Sequence, residues 1–277
     1  MLNLEKFSGL PISLRDDLSL EFEKGLPPVT PSFRDFSTSR NFYKEPSSTY
    51  WRKSVYDMYR SVAFPEHAAL FREFGIEYDL TIIPPGRISK EFARTIGHYH
   101  SMKPGTTLGW PEIYEVVYGK CFYILQNRVS PDSEKLSEIY IVELERGENL
   151  VIPPGFGHVG VNPTDDLLVL SNWQPTANVS DYEPYEKHNG PAYYAVASEH
   201  LSASGKTSSE HCEFVPNLSY DLLPKVIHAR PRELTQYDLR TALPLYFTGS
   251  KNINNLDFLV NPENYLSELT PDKLYKY

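Results

Sequence analysis

The stretch that decides the fold begins TIIPPGRISKEFARTIGHYHSMKPGTTLGWPEIYEVVYG (residues 81–119), passes through a strand-rich spacer, and closes GENLVIPPGFGHVGVN (residues 147–162). His98 and His100 stand two apart, and in a β-strand such residues face one side. Glu112 and Tyr114 make a second pair of this kind on what reads as the next strand, and Glu115 falls on the opposite face if Glu112 points inward. His158 follows Pro153-Pro154-Gly155-Phe156-Gly157, a turn-forming run that sets an imidazole at a strand start. A lone histidine in a strand is more often a satisfied core residue than a ligand. Three imidazoles and a carboxylate together suit Mn, Fe, Co, Ni or Zn in a site with positions left open for substrate.

Working outward, the period of the apolar residues is two from Tyr78 onward. Tyr78–Ile83 and Phe92–Tyr99 read as strands separated by the Pro84-Pro85-Gly86 turn. Ile113–Tyr118 and Cys121–Gln126 flank Gly119-Lys120, a short hairpin signal. Ile139–Leu144, Asn149–Ile152, Val159–Val161 and Leu167–Ser171 continue the series, with Gly147 and Asn162-Pro163-Thr164-Asp165 in the turns. Many short strands parted by Gly, Pro, Asn and Asp indicate a mainly β, antiparallel sandwich or barrel.

Before the strands, residues 1–47 carry scattered apolar residues and Pro11, Pro27, Pro28, Pro31 and Pro46, which reads as an extended arm lying on the surface or on a partner subunit. Ser47 and Ser48 are placed to cap a helix from about Thr49 to Val62, with Val55, Met58, Tyr59 and Val62 on one face. A second helix starts at Pro65 and stops at Gly75. After residue 176, Ala192–Val196 reads as a strand and residues 203–210 as a solvated loop. Leu245-Tyr246-Phe247 and Phe258-Leu259-Val260 are apolar enough to bury. The working division is residues 1–75 (arm and helices), 76–200 (barrel with the site) and 201–277 (C-terminal extension), folded as one structural domain.

Composition narrows the classes. With 277 residues, 40% hydrophobic and 23% charged, a packed core is expected rather than disorder. A net charge of −9 argues against a nucleic-acid partner but leaves room for an anionic substrate gripped by local donors. Cys121 and Cys212 are too few for a disulfide scaffold and read as reduced thiols. There is no apolar run of membrane-spanning or signal-peptide length, so no membrane and a cytoplasmic location are expected.

The two motifs resemble those of the cupin superfamily. The first is matched by Gly97-His98-Tyr99-His100, Glu112 and Gly119, the second by Gly147, Pro153, Gly155, His158 and Asn162. Within cupins the first half is similar to the archaeal-type, metal-dependent glucose-6-phosphate isomerases: Thr81, Pro85-Gly86, Glu91, Thr95 to His100, Pro111-Glu112-Ile113-Tyr114 and Gly119 carry the likeness. The resemblance covers roughly residues 75–185. It implies a cupin double-stranded β-helix and a homodimer, with His98, His100, Glu112 and His158 on one divalent ion, Fe(II) first and Mn, Ni, Zn or Co as alternatives. It also implies a role for Thr81, Thr95 and Gly97 in holding a sugar phosphate.

Two departures accompany it. Aligned on Asn162, Gln174 stands where the family tends to carry a Tyr, and Ser180 where it tends to carry a His. Gln174 can still donate to a phosphate from its amide, whereas Ser180 cannot replace imidazole acid–base chemistry. Arg87, Lys90, Arg94 and Lys103 are the nearby candidates for positive charge.

The implied reaction is interconversion of glucose 6-phosphate and fructose 6-phosphate, a step of glycolysis and gluconeogenesis, with Glu112 moving a proton between C1 and C2 and Tyr114 beside it. A hydride shift needs no base, and sequence does not separate the two. A cupin Fe(II) dioxygenase and a non-catalytic, metal-stabilised sugar-phosphate-binding cupin are the rival readings. His67, His188, His200, His211 and His228 have no partner at ligand spacing and are expected to be structural.

Overall fold

The computed structural model describes all residues except 24, 47, 48, 51 and 199–211. The motif-bearing strands are divided between two main sheets. The six-stranded sheet runs in the order Asn149–Ile152, Glu112–Tyr118, Leu168–Pro175, Ile76–Ile83, Ser54–Tyr59, Ser32–Asp35, with every neighbour antiparallel. The five-stranded sheet runs Phe156–Val161, Lys120–Arg128, Leu136–Glu145, Val226–Pro231, Tyr275–Lys276. Both bury side chains in one core, and Tyr114 of the first sheet lies 5.0 Å, ring to ring, from Tyr123 of the second.

Gly119-Lys120 is therefore not a hairpin. The flanking strands sit in different sheets, and the chain crosses between layers at Gly119, whose φ is +89° and where a Cβ would lie 2.3 Å from the Leu167 carbonyl oxygen. The turns at Gly147 and at Asn162–Asp165 cross between the sheets in the same way. This repeated crossing, with mainly antiparallel pairing, is the mainly β architecture expected from the cupin motifs.

The expected helix over Thr49–Val62 is instead the strand Ser54–Tyr59, and Ser47 and Ser48 lie outside the described residues. Val55, Met58, Tyr59 and Val62 satisfy a helical period. However, all six residues of Ser54–Tyr59 are buried, between Ser32–Asp35 on one side and Ile76–Ile83 on the other. A surface helix would leave one face in water, and a segment buried on both faces, with Val55, Tyr56 and Tyr59 among its six residues, suits an interior strand. The second helix is present as Pro65–Phe74, closed by Gly75 at φ +85°.

The first residues form a small sheet of Leu2–Asn3, Ile12–Leu14 and Leu20–Phe22 that packs on its own chain. Leu4, Leu10, Ile12 and Leu14 are buried, and the Leu20 amide donates to the Tyr59 hydroxyl at 2.9 Å. The C-terminal part joins the same body. Val226–Pro231 pairs in parallel with Leu136–Glu145, and the helix Leu245–Lys251 covers the outer face of the six-stranded sheet. There Trp173 is fully buried. Its indole donates to the Leu245 carbonyl at 2.9 Å, and its ring meets Phe71 at 4.7 Å and Tyr78 at 5.0 Å. Leu245, Tyr246, Phe258 and Leu259 are buried as expected, while residues 203–210 lie outside the described residues. No helix among the described residues is long and apolar enough to cross a membrane.

Candidate metal centre and its cavity

The expected strand Phe92–Tyr99 is broken. Glu91–Phe92 pairs with Arg87–Ile88 and with Tyr193–Ala197, while Tyr99–His100 pairs with Ser180–Asp181. Between them run only the single bridges Arg94–Val161 and His98–His158. The break is at Gly97, with φ +85°, where a Cβ would lie 2.6 Å from both Tyr185 and Val159. Gly97 is thus placed against Tyr185 and Val159 and not among the residues lining the cavity described below. The kink turns His98 toward His158, whose amide donates to the His98 carbonyl at 3.1 Å.

Glu112 comes from the six-stranded sheet, His158 from the five-stranded one, and His98 and His100 from the segment between. One ligand atom from each of the four lies within 4.8 Å of every other. His100 Nε2 and His158 Nε2 are each 3.2 Å from Glu112 Oε2. Two ligands at about 2.1 Å from one ion, about 90–109° apart, lie about 3.0–3.4 Å from each other. The surroundings orient the donors. His100 Nδ1 faces the Trp110 carbonyl at 2.6 Å, which makes it the N–H donor and leaves Nε2 bare. Asn172 donates to Glu112 Oε1 at 2.7 Å, leaving Oε2. His100 Nε2 and Glu112 Oε2 are buried without a hydrogen-bond partner, the expected condition of atoms aimed at a shared cation.

Protonation agrees with ligation. Burial opposes charge on Glu112, but the two imidazoles overcome it and hold the carboxyl well below the usual carboxylate range. Burial, then the neighbouring His158 and His100, pushes His98 well below an ordinary imidazole, and burial lowers His158. Neutral imidazoles and an ionised carboxylate are the binding forms. The four residues are a donor set that can hold one metal ion.

Beside the cluster opens a small cavity of about 40 Å³. Thr81, Thr95, Tyr114, Gln174 and Ser180 line it, as do His98 and Glu112. Tyr114 shares the face of Glu112, its hydroxyl 3.3 Å from His158 Nε2. Its pKa is held well above the ordinary phenol value by burial and then by the Glu112 charge. Thr95 Oγ1 accepts from the Gly160 amide at 3.0 Å. Gln174 lines the cavity and donates its amide to Asp79 at 2.9 Å and Glu77 at 3.3 Å.

The four cations expected near the site are engaged elsewhere or do not line this cavity. Arg94 is fully buried against Glu91 at 2.5 Å, Lys103 reaches Glu263 at 2.6 Å and Arg87 pairs with Asp165 at 3.3 Å. Lys90 lines a different cleft, with Lys44 and Ser89. Glu115, on the outer face, accepts from Ser171 at 3.1 Å and from the Leu245 amide at 3.0 Å. Arg60, Asn172, Tyr56 and Tyr182 line the cavity and were not singled out from sequence. The signal for Asn172 and Gln174 was the alternation of the strand past Ser171. Arg60 was hidden by the misread helix. Of the remaining histidines, His67 meets the Tyr246 hydroxyl at 2.9 Å and His188 the Ser219 carbonyl at 3.0 Å, both away from the cluster, and His200 and His211 lie outside the described residues. Cys121 and Cys212 are free thiols.

The sequence profile described as "Glucose-6-phosphate isomerase (GPI)" matches residues 34–210. The chain belongs to the glucose-6-phosphate isomerase family. The glucose-6-phosphate isomerase of Thermococcus litoralis is 25% identical over 170 residues, 60% of this chain and 80% of that protein. That of Pyrococcus abyssi (strain GE5 / Orsay) is 31% identical over 111 residues, 40% of this chain and 52% of that protein. The match to the second thus spans about half of that relative. Among solved structures, vicilin from Corylus avellana (hazelnut) gives a TM-score of 0.33 at 17% identity, covering 48% of this chain and 32% of that one. The family match spans strands of both sheets and all four cluster residues, together with the helix Pro65–Phe74 and the strand Ser54–Tyr59.

Proposed function

We propose that this chain is a metal-dependent aldose–ketose isomerase that interconverts glucose 6-phosphate and fructose 6-phosphate. The observation that carries the reading is the four-residue donor cluster opening on a cavity lined by Thr81, Thr95 and Tyr114, in a member of the glucose-6-phosphate isomerase family. His98, His100, Glu112 and His158 would hold one divalent ion, Fe(II) being the first candidate for oxygen and nitrogen donors with open positions. A divalent ion there supplies Lewis-acid polarisation of a carbonyl.

The chain's own residues do the rest. Glu112 takes the proton from C2. The C2–H electron pair becomes the C1–C2 double bond, and the C1 carbonyl oxygen gains the charge and then a proton. The same carboxyl returns its proton to C1 as the 2-hydroxyl becomes the carbonyl, and the proton released from that hydroxyl balances the one taken up at the C1 oxygen, carried between them by water. Asn172 fixes the plane of the carboxylate through Oε1 at 2.7 Å. Tyr114, kept protonated, donates a hydrogen bond to a substrate oxygen. Ser180 lies in the cavity, so ring opening falls to hydroxyl groups and water rather than to an imidazole. Thr81 and Thr95 offer hydroxyls to the sugar phosphate.

We read the protein as a cytoplasmic homodimer and the chain as one structural domain. Light scattering on the eluting peak would give twice 31.8 kDa. The deciding experiment strips the protein with a chelator and reloads it separately with Fe(II), Mn(II), Ni(II) or Zn(II). Fructose 6-phosphate is then supplied and glucose 6-phosphate followed with a coupled dehydrogenase. Product only in metal-loaded samples supports the reading. Metal binding without product from any sample refutes it.

A further inference from the structure

We propose that Arg60 grips the phosphate of the sugar phosphate in this chain, with Asp79 and Gln174 holding its guanidinium in position. The proposal rests on the sugar-phosphate reading above and adds a residue to it. Arg60 is the one Lys or Arg among the described residues lining the cavity of the metal cluster. It continues the strand Ser54–Tyr59, where Met58 pairs with Thr81 and Tyr59 with Leu80, so Arg60 falls beside Asp79, two pairs along from Thr81 and on the same face of the sheet.

The guanidinium is only partly used. One terminal nitrogen meets Asp79 Oδ2 at 2.5 Å. The other meets the Met58 sulfur at 3.3 Å, a weak acceptor. The side chain is 44% exposed, whereas Asp79 beneath it is 1% exposed. Asp79 is itself fixed by the Ser61 amide at 2.8 Å and by Gln174 at 2.9 Å. A planar fork anchored on one edge and open on the other fits the two-oxygen face of a phosphate, and Thr81 lines the same cavity. Gln174 acts on substrate only through this chain of contacts. In this chain it buttresses the carboxylate that aims the arginine.

The first arm of the test is calorimetric titration of metal-free protein with inorganic phosphate, which removes coordination of phosphate to an ion. Wild type binds, and Arg60→Ala weakens binding about 10- to 100-fold, the effect of losing charge-assisted hydrogen bonds. Arg60→Ala leaves Asp79 buried without its partner. The double change Arg60→Ala, Asp79→Asn removes both charges and should show the same loss, while Arg60→Lys restores part of it. The second arm is kcat/KM for fructose 6-phosphate in the metal-loaded enzyme, expected to fall by a similar factor in Arg60→Ala. No phosphate binding by wild type, or equal affinity in a folded Arg60→Ala or double variant, overturns the proposal. If the wild-type enzyme fails to turn over fructose 6-phosphate with any metal, the isomerase reading fails, and the phosphate titration still decides Arg60.

Discussion

Replacing Glu115 by Gln should remove a pH dependence from the stability of this protein. Glu115 is fully buried between the six-stranded sheet and the start of the helix Leu245–Lys251. One carboxyl oxygen accepts from Ser171 and the Leu245 amide, and the other is buried without a partner. Burial raises its pKa from 4.5 to about 8 against the lowering effect of those two donors. The folded state therefore holds this proton more tightly than the unfolded chain does. The stabilisation is fully present below pH 4.5, falls as pH rises, and is gone above about pH 8. At 1.36 kcal/mol for each pKa unit, the span is at most about 5 kcal/mol. Gln keeps the acceptor for Ser171 and Leu245 and never ionises. Wild type and Glu115→Gln should melt together near pH 5. They should separate as pH rises to 8.5, with the variant higher by about 10 °C at the top of the range, given about 2 °C for each kcal/mol in a chain of this size. Calorimetric scans at half-unit pH steps measure the gap. Parallel curves, with a gap that does not change between pH 5 and 8.5, would refute the account of Glu115 as a buried acid.

Further outcomes follow from the same geometry. Glu112→Gln should lower turnover by about 10²- to 10⁴-fold, the usual worth of a positioned proton carrier. Residual activity near wild type, with no solvent deuterium entering C1 or C2, would favour a hydride shift. His158→Ala should leave the protein folded but lower metal content after dialysis, read by elemental analysis, since it removes one of four donors. Gly97→Ala combines a positive φ with a Cβ 2.6 Å from Tyr185 and Val159, and should cost about 2–5 kcal/mol in denaturant melts. Burial pushes the Cys212 thiol up to about 12 and Cys121 higher still, so neither should react with a disulfide reagent at pH 8 until denaturant is added.

Much of the site was legible because ligand chemistry restricts residue type and spacing together. His98, His100, Glu112 and His158 were found on those grounds, and the placement of Glu115 on the opposite face followed from the two-residue period of a strand. The strands between Ile76 and Pro175 were legible for the same reason, apart from the break at Gly97. What failed was what depends on distant partners. Ser54–Tyr59 carries a pattern compatible with both periods, and only its burial on two sides selects the strand. Gly119 looks alike whether the chain folds back within a sheet or crosses to another. Lys103 and Arg94 were plausible phosphate donors until Glu263 and Glu91 were seen beside them, and Lys103 and Glu263 are 160 residues apart. Gln174 lines the cavity, and its amide meets Asp79 and Glu77 on the neighbouring strand, partners that the two-residue period of its own strand does not reveal.

The last two strands close on segments that are synthesised long before them. The Tyr275 hydroxyl donates to the Val151 carbonyl, 124 residues upstream, and Val226–Pro231 closes the edge of Leu136–Glu145. A ribosome releases the motif-bearing half first, at about 5–20 residues per second. For several seconds the nascent sheet presents Leu136–Glu145 as a bare edge with its hydrogen-bonding groups unmatched, the condition that invites pairing with another chain. Slowing translation over residues 145–226 would lengthen that window, and co-expression of a holdase that shields sheet edges would raise the soluble yield of this protein.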